Sequence, residues 1–312
     1  MTRSAHHAHN PFALTLRDWK HVVIHTAKTM SEKDMSLRCA GVAFYGFLSI
    51  FPAIGIVVSL VGILGDYGAL RAEIDRFSDI MPAIAYSLIA TQLDSFMNQD
   101  QAGFGVGLAI SIVVILWSSS RGVDALLHAT SVAYGETSDR GFFISVLVAF
   151  ATTVLGALFL VVALTLIAAI PIFTRFSPIP GTGEQLALLL RWPALLALAV
   201  VAFALIYRYA LNRRGAKLRW IWPGATLAAL VWIAACLLFS LYVEYFGEFE
   251  ATFGSLAAAV VMLFWMFISA QIFVFGAALN AGLELRSAVD STIGPDRPMG
   301  KRGAYVADNV ET

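Results

Sequence analysis

The segment Trp117-Ser118-Ser119-Ser120-Arg121-Gly122-Val123-Asp124 closes an apolar run, and His128 follows one turn later. Three hydroxyls beside a guanidinium form a donor set for an anion or a phosphate-bearing headgroup. Arg121 and Asp124 are three residues apart, so on a helix they share a face and can pair. Two readings are open. In the first, Ser118, Ser119, Ser120, Arg121 and Asp124 bind substrate. In the second, Arg121 snorkels to nearby headgroups and Asp124 is its solvated partner.

Other polar residues sit in apolar surroundings. Ser269, Gln271 and Asn280 lie in one long apolar run. They either line a substrate path or bond neighbouring helices, at about 1 kcal/mol or less each. Glu244, Glu248 and Glu250 form an acidic stretch among Tyr242, Tyr245, Phe246 and Phe249. That stretch attracts cations or a partner, or is a solvated hairpin with an aromatic belt.

Motifs for catalysis are missing. There is no Gly-x-x-x-x-Gly-Lys-Ser/Thr phosphate loop, no Gly-x-Ser-x-Gly elbow and no His-Glu-x-x-His pair. Cys39 and Cys236 are far apart and make no Cys-x-x-Cys pair. His6, His7 and His9 form a short tract with no further ligands nearby. The reading is therefore a non-enzyme with no catalytic residue, no metal site and no cofactor.

The elements that position these residues follow from composition. Of 312 residues, 59% are hydrophobic and 13% charged, against about 45–50% and about 25% in ordinary globular domains. Mean hydropathy is +0.76. So few polar residues cannot cover a core this large, and the fitting solvent is lipid. Formal net charge is zero, which disfavours nucleic-acid binding.

A helix needs roughly 20 apolar residues to cross a bilayer core. Charge-poor stretches predict six transmembrane helices at about 40–64, 103–127, 143–170, 185–210, 221–243 and 254–281. The fold class is all-α and polytopic. Lys and Arg alternate strongly: 17 fall in the N-terminal segment, the second and fourth connections and the C-terminal tail, and four elsewhere. That bias places both termini in the cytoplasm. The chain divides into a cytoplasmic segment 1–38, a transmembrane domain 39–285 and a mobile cytoplasmic tail 286–312.

Within the first segment Phe12, Leu16, Trp19, Val23 and Met30 recur at helical spacing, with Arg17, Lys20 and Lys28 elsewhere. This is an interfacial amphipathic helix or a short soluble one against the cytoplasmic loops. The connection 66–102 holds a 14-residue apolar stretch, 80–93, too short to span. Trp220, Trp222 and Pro223 read as aromatic anchors and a first-turn proline at the start of the fifth span.

An ordered set of motifs resembles a known family. They are Ala43-Phe-Tyr-Gly-Phe-Leu-Ser-Ile-Phe-Pro52, Leu116-Trp-Ser-Ser-Ser-Arg-Gly122, Tyr207-Arg-Tyr-Ala-Leu-Asn-Arg-Arg214 and Leu218-Arg-Trp-Ile-Trp-Pro-Gly-Ala225. Phe239-Ser-Leu-Tyr242, Ala251-Thr-Phe-Gly-Ser-Leu256 and Gly276-Ala-Ala-Leu-Asn-Ala281 follow. Together they resemble the YihY/BrkB family of bacterial inner-membrane proteins over about residues 20–285. Two positions depart from it: the family usually has Pro within the segment Tyr209-Ala-Leu-Asn212, and often an acid where this chain has Ala278. A role resting on that acid does not carry over.

The resemblance implies an inner-membrane, multi-pass protein in a virulence-associated family once labelled ribonuclease BN. It implies a part in moving lipid-like substrate for the cell envelope. Membrane lipids and a periplasmic lipid-transfer protein are the implied partners, and an oligomer is compatible. A small-solute or ion transporter and a non-transporting envelope scaffold stay open as alternatives.

Overall fold

The computed structural model describes residues 10–32, 34–64, 75, 102–136, 141–176, 182–245 and 255–311. The expected apolar stretch 80–93, the three histidines and residues 246–250 of the acidic loop lie outside them. The described chain is all-helical. Its one β feature there is an isolated antiparallel bridge between Ala216 and Thr292.

A 3₁₀ turn at Pro11–Ala13 leads into α1, Leu16–Glu32. Then follow α2, Met35–Leu64; α3, Ala102–Ala133; α4, Phe142–Phe176; and α5, Thr182–Leu205. A π turn at Ile206–Ala210 extends α5. α6 is Leu218–Tyr245, α7 is Ser255–Glu284, and a short α8 is Tyr305–Asp308. The segments Trp192–Ala210, Leu218–Tyr242 and Ala259–Glu284 are long and apolar enough to cross a membrane. Hydrophobic residues stand exposed along the flanks, such as Leu147, Leu158, Leu238 and Val260. That is the inverse of a water-soluble surface.

α7 is the central post. It packs on α1, α2, α3 and α6. α2 lies along α3, and α3–α4–α5–α6 pack in succession. α6 and α7 approach closely at Gly224 and Gly276. A Cβ on Gly276 would sit 2.6 Å from the Ala228 Cβ and 2.7 Å from the Gly224 carbonyl oxygen. Hydrogen alone fits there. Asn280 locks the same crossing: its amide accepts from Gly224 N at 2.8 Å and donates to the Ile221 carbonyl at 3.0 Å. These bonds flank Pro223, which cannot donate to the helix ladder. Pro223 lies inside α6 and not in its first turn. The helix starts earlier than the apolar pattern suggests.

Local signals explain the ends. Thr15 and Asp18 form a capping box on α1: the Asp18 carboxylate accepts from Thr15 N at 3.0 Å, and Asp18 N donates to the Thr15 hydroxyl at 3.3 Å. α3 ends at Gly135, whose φ of 71° only glycine adopts cheaply. Gly135 N donates to the Val132 carbonyl and Glu136 N to the Ser131 carbonyl, the paired bonds of a Schellman end.

The N-terminal segment, the end of α3, the α5–α6 connection and the tail all meet at one end of the bundle. Trp220 is fully buried there with Leu14, Val22, Leu279 and Leu283. It is not the exposed anchor its position suggests, because α1 and the turn before it fold over the site; Trp222 is the exposed one. The tail also departs from expectation. Residues 286–311 are folded back on the bundle, with Ser287, Asp290, Ser291, Thr292, Arg302 and Val306 buried. The residues that read as flexible, Gly294, Gly300 and Gly303, have φ of 91°, 86° and 74° and make tight turns. Arg302 pins the coil by donating to the carbonyls of Arg297, Ala307 and Ala288.

Candidate functional site

Trp117, Ser120, Arg121 and Asp124 recur at helical spacing and line one wall of a groove between α3 and α4. The groove has a volume of about 720 Å³. The opposite wall is the start of α4, including Phe143, Val146, Leu147 and Phe150, with Ser145 its one hydroxyl. Phe143 is 86% and Leu147 66% exposed, so the groove opens sideways onto the outer face of the bundle.

The α2 contact sets this orientation. Gly122 is buried, and a Cβ there would lie 3.5 Å from Gly46 N and from the Tyr45 Cβ. Trp117 meets Tyr45 edge to face, with centroids 6.4 Å apart. With Gly122 seated on α2, the face carrying Arg121 and Asp124 turns toward α4. Arg121 lies twelve residues before the end of α3, or about 18 Å along its axis at 1.5 Å per residue.

The site residues read from sequence fall into separate groups. Ser120, Arg121 and Asp124 come together in the groove. Arg121 and Asp124 do not pair: no ion pair joins them among the described residues, and both line the groove. Ser118 is buried and donates to the Val114 carbonyl at 2.8 Å, within its own helix. Ser119 is part of α3, and its side chain lies outside the described residues.

Gln271 and Asn280 are not among the groove's lining residues. Gln271 donates to the Ser36 hydroxyl at 3.1 Å, tying α7 to α2. Asn280 is fully buried in the α6–α7 crossing. Ser269 accepts from the Trp232 indole at 3.1 Å. The Ala278 departure falls in the packed core, fully buried.

A second polar constellation is not among the sites read from the sequence, although its Arg213 lies in the motif Tyr207–Arg214. Arg213, in the α5–α6 connection, meets Glu284 at the end of α7. Ser291 in the tail donates to the same carboxylate at 2.6 Å. The guanidinium lies over the Tyr134 ring, 4.3 Å from its centroid. Burial opposes charge on Arg213, but the adjacent Glu284 carboxylate holds its pKa above the ordinary value. Burial also raises the Tyr134 hydroxyl. Glu136, which accepts from Tyr305 N at 2.7 Å, is raised mainly by burial. These groups clasp four segments. The advance hints are that Arg213 lies in that motif and that Glu284 ends the long charge-free run before it.

Lipid-facing flanks, long apolar helices and a polar-walled lateral groove define an all-helical integral membrane protein. The family described as virulence factor BrkB matches residues 26–300, and the chain belongs to that family. Its relatives include "Putative ribonuclease-like protein YfkH" of Bacillus subtilis, 28% identical over 80% of this chain and 90% of that one. "UPF0761 membrane protein IL2447" of Idiomarina loihiensis is 22% identical over 86% and 94%. A UPF0761 membrane protein of Alteromonas mediterranea is 25% identical over 88% and 90%. No solved structure matches the chain.

Proposed function

We propose that this protein crosses the bacterial inner membrane six times, through α2 to α7, with both termini in the cytoplasm, and moves or helps to move lipid-like substrate for the envelope. The observation that carries the reading is the groove itself: Ser120, Arg121 and Asp124 face an apolar α4 wall across about 720 Å³. An amphiphile needs such a pairing, a polar perch for its head and an open apolar flank for its chain. The clustering of the N-terminal segment, the α5–α6 connection and the tail at one end of the bundle supports the topology, since these segments hold most of the Lys and Arg. A periplasmic lipid-transfer protein is the proposed acceptor. The ribonuclease-like name of the B. subtilis relative is not taken over. Among the described residues no three His, Cys, Asp or Glu side chains converge as metal ligands would.

The test is lipid scrambling by the purified full chain in proteoliposomes carrying a tail-labelled phospholipid. Scrambling above protein-free vesicles, cut about tenfold by Arg121→Ala, is expected, the effect of losing one hydrogen bond to a charged group. An inactive native chain, or an Arg121→Ala variant equal to it, sinks the reading.

A further inference from the structure

Arg121 and Asp124 carry opposite charges on one wall of the groove, and neither is spent on the other. Both lie in apolar surroundings, with Trp117, Phe143, Val146, Leu147 and Phe150 around them. A charge in such surroundings is costly until a counter-charge meets it. Sites three residues apart on a helix are about 5–6 Å apart, which spans the distance between the two ends of one small dipolar group. The wall adds no net charge, so an occupant that matches it adds none either.

We infer that the groove selects a zwitterionic phospholipid headgroup bearing a phosphate and a primary ammonium, with the phosphate on Arg121 and the ammonium on Asp124. This rests on the lipid-moving reading above and names its substrate class. Arg121 presents a planar fork of donors suited to phosphate oxygens. Asp124 is an acceptor only, and a primary ammonium brings three donors to it. A quaternary ammonium has no N–H to give. A purely anionic headgroup satisfies Arg121 but brings no cation to Asp124, whose charge stays unmet. Ser120 stands one residue before Arg121 on the same wall and can donate to a phosphate oxygen. The acyl chains lie along the exposed flank of α4 at Phe143 and Leu147.

The test compares three tail-labelled lipids of identical acyl chains in proteoliposomes of the full chain: phosphatidylethanolamine, phosphatidylcholine and phosphatidylglycerol. The expected native order places phosphatidylethanolamine about tenfold ahead of phosphatidylglycerol, the size of one hydrogen bond to a charged group. Asp124→Asn brings that ratio close to one, by slowing the first lipid and removing the unmet charge that faces the second. Asp124→Glu restores the preference, which a merely misfolded variant would not. Equal native rates for the three lipids, or a ratio untouched by Asp124→Asn, overturn the headgroup assignment and leave the lipid path standing. No movement of any lipid by the native chain overturns both.

Discussion

Arg213 donates from one terminal nitrogen to both oxygens of Glu284, at 2.8 and 3.0 Å, with the two side chains 1% and 0% exposed. The pair joins the α5–α6 connection to the end of α7, and Ser291 adds the tail. Removing one partner strands the other charge in a dry site, at about 3–5 kcal/mol. Glu284→Gln and Arg213→Ala are each expected to lower the melting temperature in detergent. The paired change Arg213→Met with Glu284→Met is expected to recover much of the loss. Single variants melting like the native chain would show that the pair is not closed in solution.

The α6–α7 crossing leaves no space at Gly276, where an added methyl would press on Ala228, the Gly224 carbonyl and the Tyr207 hydroxyl. Tyr207 cannot retreat freely, because its hydroxyl donates to the Phe273 carbonyl at 2.6 Å. Gly276→Ala is expected to cost about 1–3 kcal/mol by overpacking. Gly156→Ala is the control, since nothing lies within 4 Å of a Cβ there. Thermal melting of the two variants side by side checks this, and equal melting would refute the close approach.

Asp290 organises the tail by accepting from Thr292 N at 2.8 Å, the Thr292 hydroxyl at 2.7 Å and Arg297 N at 2.8 Å. Burial pushes its pKa up, but these bonds outweigh burial and hold it below the ordinary carboxylate value. A carboxylate lowered on folding stabilises the fold fully above its unfolded value, and the stabilisation is lost as pH falls through the lowered one. Asp290→Asn is thus expected to speed amide exchange in the tail at pH 7. The native tail should loosen only well into the acid range, and the gap between the two should close there. A variant tail as protected as the native one at pH 7 would contradict the assignment.

On α1, the buried side carries Asp18, Val22, Thr26 and Thr29, while Leu16 is 90% and Val23 57% exposed. Lys20 and Lys28 are exposed beside them. Apolar residues facing outward with basic neighbours suit a helix lying on an anionic lipid surface. An environment-sensitive dye at Leu16→Cys, with Cys39 and Cys236 replaced, is expected to shift to the blue in proteoliposomes rich in anionic lipid. The same dye at Lys28→Cys should stay in water. Indistinguishable spectra at the two positions would favour the soluble-helix alternative.

Much of this molecule was legible from residues alone because lipid imposes a coarse rule. Long charge-free runs such as 141–174 can hardly be anything but buried or lipid-facing helix, and α4 covers that run. The wall of the groove was legible too, since Ser120, Arg121 and Asp124 share a face by spacing within one turn or so. The other wall was not. Nothing local links Phe143 and Leu147 to Arg121, and their apolar character matches every other helix flank.

What the sequence by itself determined is the class: all-helical, lipid-solvated, without a catalytic motif, and with Lys and Arg gathered in the two terminal segments and two connections. That follows from hydropathy and short-range helical geometry, which act within one segment. Tertiary structure alone decided which distant groups meet. Arg213 finds Glu284 across 71 positions, Asn280 closes the turn beside Pro223, and the glycine-rich tail folds where a mobile one was expected. It also kept Arg121 and Asp124 apart, though their spacing allows a pair. The reason is physical: pairing of neighbours is offered by local geometry, but α2 and α4 packing on two sides of α3 fixes where each charge points.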